Sequence, residues 1–353
     1  MVWISLILLS FNIFAADLPK LLTKHSPETL RFITIDGKYA YIQKRPGVLG
    51  LVSSFKSSDF LTESSQSDFI ISSSRFKRRL AIEVIPNTHT EFSLFKNHKI
   101  LVVDWGNSLT KEIGLGKNAK LHLDDEWISY YNSYEKTIHL QNILTQKKYD
   151  IHLSSKTTPF FTPEVEMIFS DTIAYTDVNE KGYSALIIYN LITQKSSIIY
   201  KSSQNATKLE ICQASEYLGI GEFPYEGADR GSKIMQIKIG SSSNLAGHTT
   251  LYDSNDHDLG NMICLDKHIY FIKTLKENKK LQVKTTEAAK LDLKSLQIEI
   301  KSSIGNVGQL ISMDGRIIIP FRSDFFVLEG ESNLSEDVLK STPNSKEELP
   351  LEY

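Results

Sequence analysis

From about residue 30 onward the chain keeps one rhythm. Short runs rich in Ile, Val, Tyr, Phe and Thr alternate apolar with polar positions, then break at a cluster of Asn, Asp, Gly, Ser or Lys. Period-two runs punctuated in this way predict β-strands joined by hairpins. The rhythm is also written twice in nearly the same letters. LQNILTQKKYDI (140–151) returns forty-eight positions later as IYNLITQKSSII (188–199). Upstream of each copy stands an alternating run that breaks at a polar turn containing Glu-Lys: WISYYNSYEKTIH (127–139) and TIAYTDVNEKGYSALI (172–187). Looser variants occur at 217–240 and 268–286. The Asn-x-x-Thr-Gln-Lys element reads as the turn between the last two strands of a unit, with Thr, Gln and Lys exposed.

A unit of about 40–50 residues holding three or four strands is the signature of a β-propeller. One four-stranded sheet cannot bury both of its faces, and stacking sheets around an axis does so. Units are expected at about 30–64, 68–118, 119–156, 162–203, 206–253, 260–303 and 307–330. That gives an all-β chain of seven blades, the last short and completed by a strand from 17–29. Six blades is the alternative, because the second unit is irregular. A sandwich pair or a barrel would not require a repeated sequence. No stretch combines helical apolar spacing with helix caps.

Two first strands carry a further mark. TIDGKYAYI (34–42) and SMDGRIIIPF (312–321) both place Asp-Gly-Lys/Arg directly before an alternating run. This resembles the Ser-Pro-Asp-Gly-Lys hairpin of the TolB-like (WD40-like, PD40-type) propeller repeats of bacterial periplasmic proteins, with Ile35 or Met313 where that family has Pro. The resemblance implies a propeller over residues 17–330 and a place in the cell envelope. The Asp-Gly pair itself makes a tight turn, and so speaks for fold more than function.

Residues 2–16 are almost wholly apolar, and Ala15 and Ala16 suit a signal peptidase. Fifteen such residues fall short of the roughly 20 that span a bilayer, so 1–16 reads as a signal peptide. No second long apolar run exists, so no transmembrane anchor is expected after cleavage, and the product would be periplasmic or secreted. Net charge is −2 over 353 residues, which gives no general pull toward nucleic acid. The segment 329–353 holds seven acids against two lysines, and 331–353 reads as a disordered acidic tail.

Export permits a disulfide between the two cysteines. ICQASEYLGI (211–220) and ICLDKHIYFI (263–272) suggest that Cys212 and Cys264 sit at equivalent positions of adjacent units, either bridged or as two buried small hydrophobes. Catalytic motifs are scarce. GLGKNA (114–119) matches a dinucleotide fingerprint, but a strand comes after it where a helix is required, so a loop between units is expected. DSNDHDLGN (253–261) offers Asp253, Asn255, Asp256 and Asp258, which could surround a hard cation or simply form a solvated loop. The histidines show neither H-x-H nor HExxH spacing, and there is no nucleophile elbow and no phosphate loop. No cofactor and no metal site is assigned.

Two surfaces stand out instead. FPYEGADRGSK (223–233) is the longest and most polar hairpin insertion, with Tyr225, Glu226, Asp229 and Arg230 as candidate binding residues on a rigid scaffold. RFKRRL (75–80) places Arg75, Lys77 and Arg79 on one face, suited to phosphate, carboxylate or an acidic protein, or merely to blocking edge pairing. The function expected is therefore non-catalytic binding of a protein or glycan of the cell envelope. The alternative is a metal-dependent lyase or lactonase-type enzyme with its site in a central channel.

Overall fold

The computed structural model describes residues 20–23, 31–35, 39–45, 48–53, 57–63, 67–73, 79–86, 97–104, 109–123, 126–157, 161–178, 183–205, 207–224, 231–239, 247–275, 286–302, 310–313, 316–321 and 324–329, with side-chain detail only within 79–317. These residues form strands and turns and no helix.

Strand β1 (Lys20–Thr23) precedes a four-stranded sheet of β2 (Arg31–Ile35), β3 (Tyr39–Arg45), β4 (Val48–Ser53) and β5 (Ser57–Glu63). A seven-stranded sheet comes next: β6 (Ser67–Ser73), β7 (Arg79–Pro86), β8 (His98–Asp104), β9 (Leu109–His122), β10 (Trp127–Asn132), β11 (Thr137–Asn142) and β12 (Lys148–His152). Three further four-stranded sheets are β13 (Val165–Phe169) to β16 (Lys195–Asn205) by way of β14 (Thr172–Val178) and β15 (Tyr183–Asn190), then β17 (Thr207–Ala214), β18 (Tyr217–Pro224), β19 (Ser232–Lys238) and β20 (Thr249–Ser254), then β21 (His257–Leu265), β22 (His268–Leu275), β23 (Thr286–Asp292) and β24 (Ile298–Ser302). The last sheet is β25 (Ile311–Met313), β26 (Arg316–Phe321) and β27 (Asp324–Glu329), and β1 completes it by pairing antiparallel with β27. The first and last described strands therefore meet in one sheet.

The seven-stranded sheet turns on β9. Residues up to Gly116 pair with β8, and Lys117 to His122 pair with β10. GLGKNA thus lies inside a continuous strand and not in a loop between units, as its sequence suggested. Asn118 at φ 54° and a register shift beside it bend the strand where a loop would otherwise do so. The glycines are required by packing: a Cβ on Gly116 would stand 2.6 Å from the Tyr130 ring and 2.8 Å from the Tyr131 carbonyl oxygen. β9 thus gives this sheet two halves of four strands, β6 to β9 and β9 to β12.

Stacked faces make the core. Ala81, Ile100 and Val102 pack against Ala119, Leu121, Ile128 and Tyr130. Trp127, Tyr131 and Ile138 pack against Val165, Ile173 and Tyr175. Ala174 and Leu186 meet Ile211, Leu218 and Ile220, and Ala214, Phe223 and Ile234 meet Leu259, Ile269 and Phe271. Tyr270 and Ile272 face Leu310 and Ile317. Second strands therefore feed both neighbours, and β10 is buried along its whole length. Strict apolar–polar alternation, expected in every strand, does not describe them. It belongs nearer the periphery, where most of β12 is exposed.

The repeated hairpin is an Asx turn. The Asn142 side-chain oxygen accepts from Leu144 N (3.0 Å) and Thr145 N (2.8 Å), and Asn190 does the same for Ile192 N (3.1 Å) and Thr193 N (2.8 Å). Gln146 and Gln194 then take φ 61° and 55°, the left-handed residue that closes each loop. Asp292 repeats the device for Lys294 N and Ser295 N, with Leu296 at φ 58°.

Candidate functional site

The first strands of successive sheets adjoin one another and run parallel, as the links between them show. From β9 to β13, Asn118 Nδ2 donates to the Pro163 carbonyl (2.8 Å) and Lys120 Nζ pairs with Glu166 Oε1 (2.5 Å). From β17 to β21, Glu210 accepts from Met262 N (2.7 Å) and Cys212 is bonded to Cys264. Asn261 on β21 accepts from Leu310 N (2.6 Å), next to β25. These strands and their entry residues carry charges of both signs: Lys120, Glu164, Glu166, Lys208 and Glu210. Lys208 pairs with Glu210 at 2.6 Å. Burial pushes the Glu164 carboxyl above its ordinary range; Lys208 and Lys120 oppose that shift, while Glu210 and Glu166 add to it. The array resembles an acid–base constellation, but its ion pairs span neighbouring groups within and between sheets.

One trio has the order of a nucleophile relay. Ser129 Oγ lies 2.8 Å from His122 Nε2, and His122 Nδ1 lies 4.0 Å from Glu166 Oε2. Ser129 has no exposed surface, and Glu166 stands beyond hydrogen-bond distance of the ring while holding Lys120. Burial, then Lys120, lowers the His122 pKa well below its ordinary value. A reacting carbonyl cannot reach Ser129, so the trio links strands and does no chemistry.

At the far end of the second strands, Asn132, Asp177 and Glu222 recur forty-five residues apart, all buried. Each takes hydrogen bonds from the preceding unit. Asn132 accepts from Asn97 Nδ2 (2.6 Å). Asp177 accepts from Ser154 N (2.9 Å) and Thr157 Oγ1 (2.8 Å). Glu222 accepts from Ser202 Oγ (2.7 Å) and from the Tyr200 hydroxyl. Glu83 plays a related part for Ala119 N (2.8 Å) and His98. Sequence reasoning missed this clamp. Its only signal is a polar residue ending a buried strand at a fixed interval.

No protein-family model matches the chain, and no curated protein resembles it in sequence. Solved structures do resemble it in shape. A tricorn protease aligns over 87% of this chain and 36% of its own, at 14% identity and TM-score 0.58. The β-propeller domain of Cps50 (Swd1) from Myceliophteria thermophila aligns over 88% of this chain and 99% of its own, at 12% identity and TM-score 0.54. The chain is a β-propeller. An oligogalacturonate lyase in complex with manganese is also similar, at 11% identity and TM-score 0.52, over 86% of this chain and 80% of the lyase. The propeller spans only about a third of the length of the tricorn protease.

In this propeller the connections fall on two rims. First-to-second and third-to-fourth strand hairpins share one rim, and second-to-third connections and the passages between sheets share the other. Arg75 and Lys77 lie outside the described residues. Arg79 opens β7 opposite Asp104, half-buried. Tyr225, Glu226, Asp229 and Arg230 also lie outside the described residues, between β18 and β19, a connection (225–231) shorter than that between β22 and β23 (276–285), so it is not the longest insertion that the sequence suggested. The described strands that flank these two stretches are β6 and β7, a first-to-second pair, and β18 and β19, a second-to-third pair. The 36–38 and 314–315 turns likewise lie outside the described residues, although Ile35 pairs with Tyr39 and Met313 with Arg316 as their hairpins require.

The cysteines are bonded, with Cα atoms 5.5 Å apart, but their positions are not equivalent. Cys212 stands opposite Gly219, two pairs from its hairpin turn, whereas Cys264 stands opposite Ile269, one pair from its own. Equivalent residues would point to the same side of their sheets. A one-residue offset turns Cys264 back to face Cys212. Around the 253–258 loop, Asp253 pairs with Lys233 at 3.7 Å and Ser254 Oγ lies 3.1 Å from His257 Nδ1. Among the described residues no three His, Cys, Asp or Glu side chains are grouped to hold a metal ion, and no helix is long and apolar enough to cross a membrane.

Proposed function

We propose that the propeller is an exported, non-catalytic binding protein that engages a protein or glycan of the cell envelope through the rim of its second-to-third connections. The observation that carries this reading is the use made of the polar side chains. The buried carboxylates at the second-strand ends are consumed in clamps between units, and the inner-strand charges Lys120, Glu166, Lys208 and Glu210 are engaged by neighbours. What such a scaffold offers a partner is its loops. The apolar segment at 2–16 and the Cys212–Cys264 bond both suit an exported protein. Two measurements test the reading. Elemental analysis of protein purified without chelator should find no stoichiometric metal; calcium, zinc or manganese at one per chain would favour the enzyme alternative. Binding to defined envelope glycans and proteins should be lost in Tyr225→Ala/Arg230→Glu and kept in Arg75→Glu/Lys77→Glu, since the strands flanking the two stretches turn at opposite rims. The reverse pattern would overturn the choice of rim.

A further inference from the structure

The repeated hairpins leave aliphatic side chains in water. Leu144 is 58% exposed, Ile192 72% and Leu296 49%, each at the tip of a third-to-fourth strand hairpin and all on one rim. Leu144 and Ile192 occupy the same place in two copies of one turn, so the turn does not require them to be apolar; its capping is done by Asn142 and Asn190. Each has an exposed lysine close by: Lys147, Lys195 and Lys294. The last sheet has no such hairpin, because its fourth strand is β1. There the chain leaves β27 at Glu329, opposite Ile317 and beside the β25–β26 hairpin, at the same rim.

The segment beyond β27 has the matching chemistry. Residues 331–353 carry six acids against two lysines, and leucines sit beside the acids: Leu334 and Leu339 flank Glu336-Asp337, and Leu349 and Leu351 come directly after Glu347-Glu348. We infer that residues 331–353 occupy this rim of their own propeller, with leucines on the Leu296, Ile192 and Leu144 tips and carboxylates on the adjacent lysines. Reach is sufficient. Twenty-three residues extend to about 80 Å, while sheets pack about 10 Å apart at their strands and diverge outward.

Carbodiimide cross-linking of the full chain, made as a mixture of light and isotope-labelled protein, tests this. Links from the acids of 331–353 to Lys147, Lys195 or Lys294 within single molecules are expected. They should be lost at about 1 M salt, where the Debye length is about 3 Å, and in Leu334→Ser/Leu339→Ser/Leu349→Ser, which keeps every acid and leaves the sheets untouched. Absence of these links, links to lysines of the other rim, links only between light and heavy chains, or links that survive the leucine changes would each overturn the inference.

Discussion

Replacing Cys212 and Cys264 together by Ala should cost the propeller about 4 kcal/mol. The bond joins residues 52 apart in sequence. Opening a loop of that length returns entropy to the unfolded chain worth about 4 kcal/mol at 25 °C. The cross-link also spans two sheets, holding first strand to first strand at the inner edge of the stack. It therefore opposes separation of the sheets as well as fraying within one. Equilibrium urea unfolding is the assay. With a slope of about 3 kcal/mol/M, suited to a large domain, the midpoint should fall by roughly 1–1.5 M. Reduced wild-type protein should match the double variant, since the two share the loss of the cross-link and differ only in two small buried side chains. If the double variant unfolds within about 0.3 M of the oxidised protein, the loop-entropy account is wrong. If the variant falls but the reduced protein does not, packing of the sulfurs matters and the cross-link does not.

Single sites carry the other expectations. Gly116→Ala should destabilise by about 1–3 kcal/mol and Gly114→Ala by less, because the first meets backbone and the second the far end of the Tyr130 side chain; urea midpoints compare them. Asp177→Ala strands Ser154 N and Thr157 Oγ1 without their acceptor and should cost about 2–4 kcal/mol, with Asp177→Asn recovering part in the same assay. His122 is held neutral, its pKa lowered by burial and by Lys120. The unfolded chain therefore binds the extra proton first, so stability present above about pH 6.5 should decline as pH falls toward the folded pKa. Thermal melts between about pH 5 and 8 should show that slope, and His122→Gln should flatten it. Asn142→Ala and Asn190→Ala should each cost about 1 kcal/mol through the lost turn cap, again read from urea unfolding.

Much of the fold is legible because a stacked-sheet ring must repeat itself. The paired NILTQK and NLITQK turns mark the third-to-fourth hairpins, and unit boundaries drawn from the rhythm fall close to the observed sheets. Local rules mislead where the ring overrides them. Alternation implies one wet face, but strands such as β10 and β14 are sandwiched on both sides and read as near-continuous apolar runs. GLGKNA reads as a loop because glycines usually break strands, yet here they admit the Tyr130 ring and let β9 pass from one sheet to the next. The cysteines align by their shared Ile-Cys letters, and only the distance of each from its hairpin turn reveals the offset that lets them meet.

The candidate site is harder to read for a physical reason. In a ring of sheets, the polar residues most suggestive of chemistry are also those best placed to hold neighbours together. Ser129, His122 and Glu166 would pass for a relay by residue type alone, and Glu164, Glu166 and Glu210 for an acid cluster. Burial of the serine and the pairing of Lys120 with Glu166 and of Lys208 with Glu210 show instead how a partly buried interface satisfies its own charges. The forty-five-residue spacing of Asn132, Asp177 and Glu222 makes the same point, since a catalytic centre has no reason to recur with the fold's own period and a clamp must. Residues that break the period are thus the better guides to function. The long connections from β7 to β8, β18 to β19 and β22 to β23 break it on one rim; the acidic segment after β27, following where a hairpin should stand, breaks it on the other.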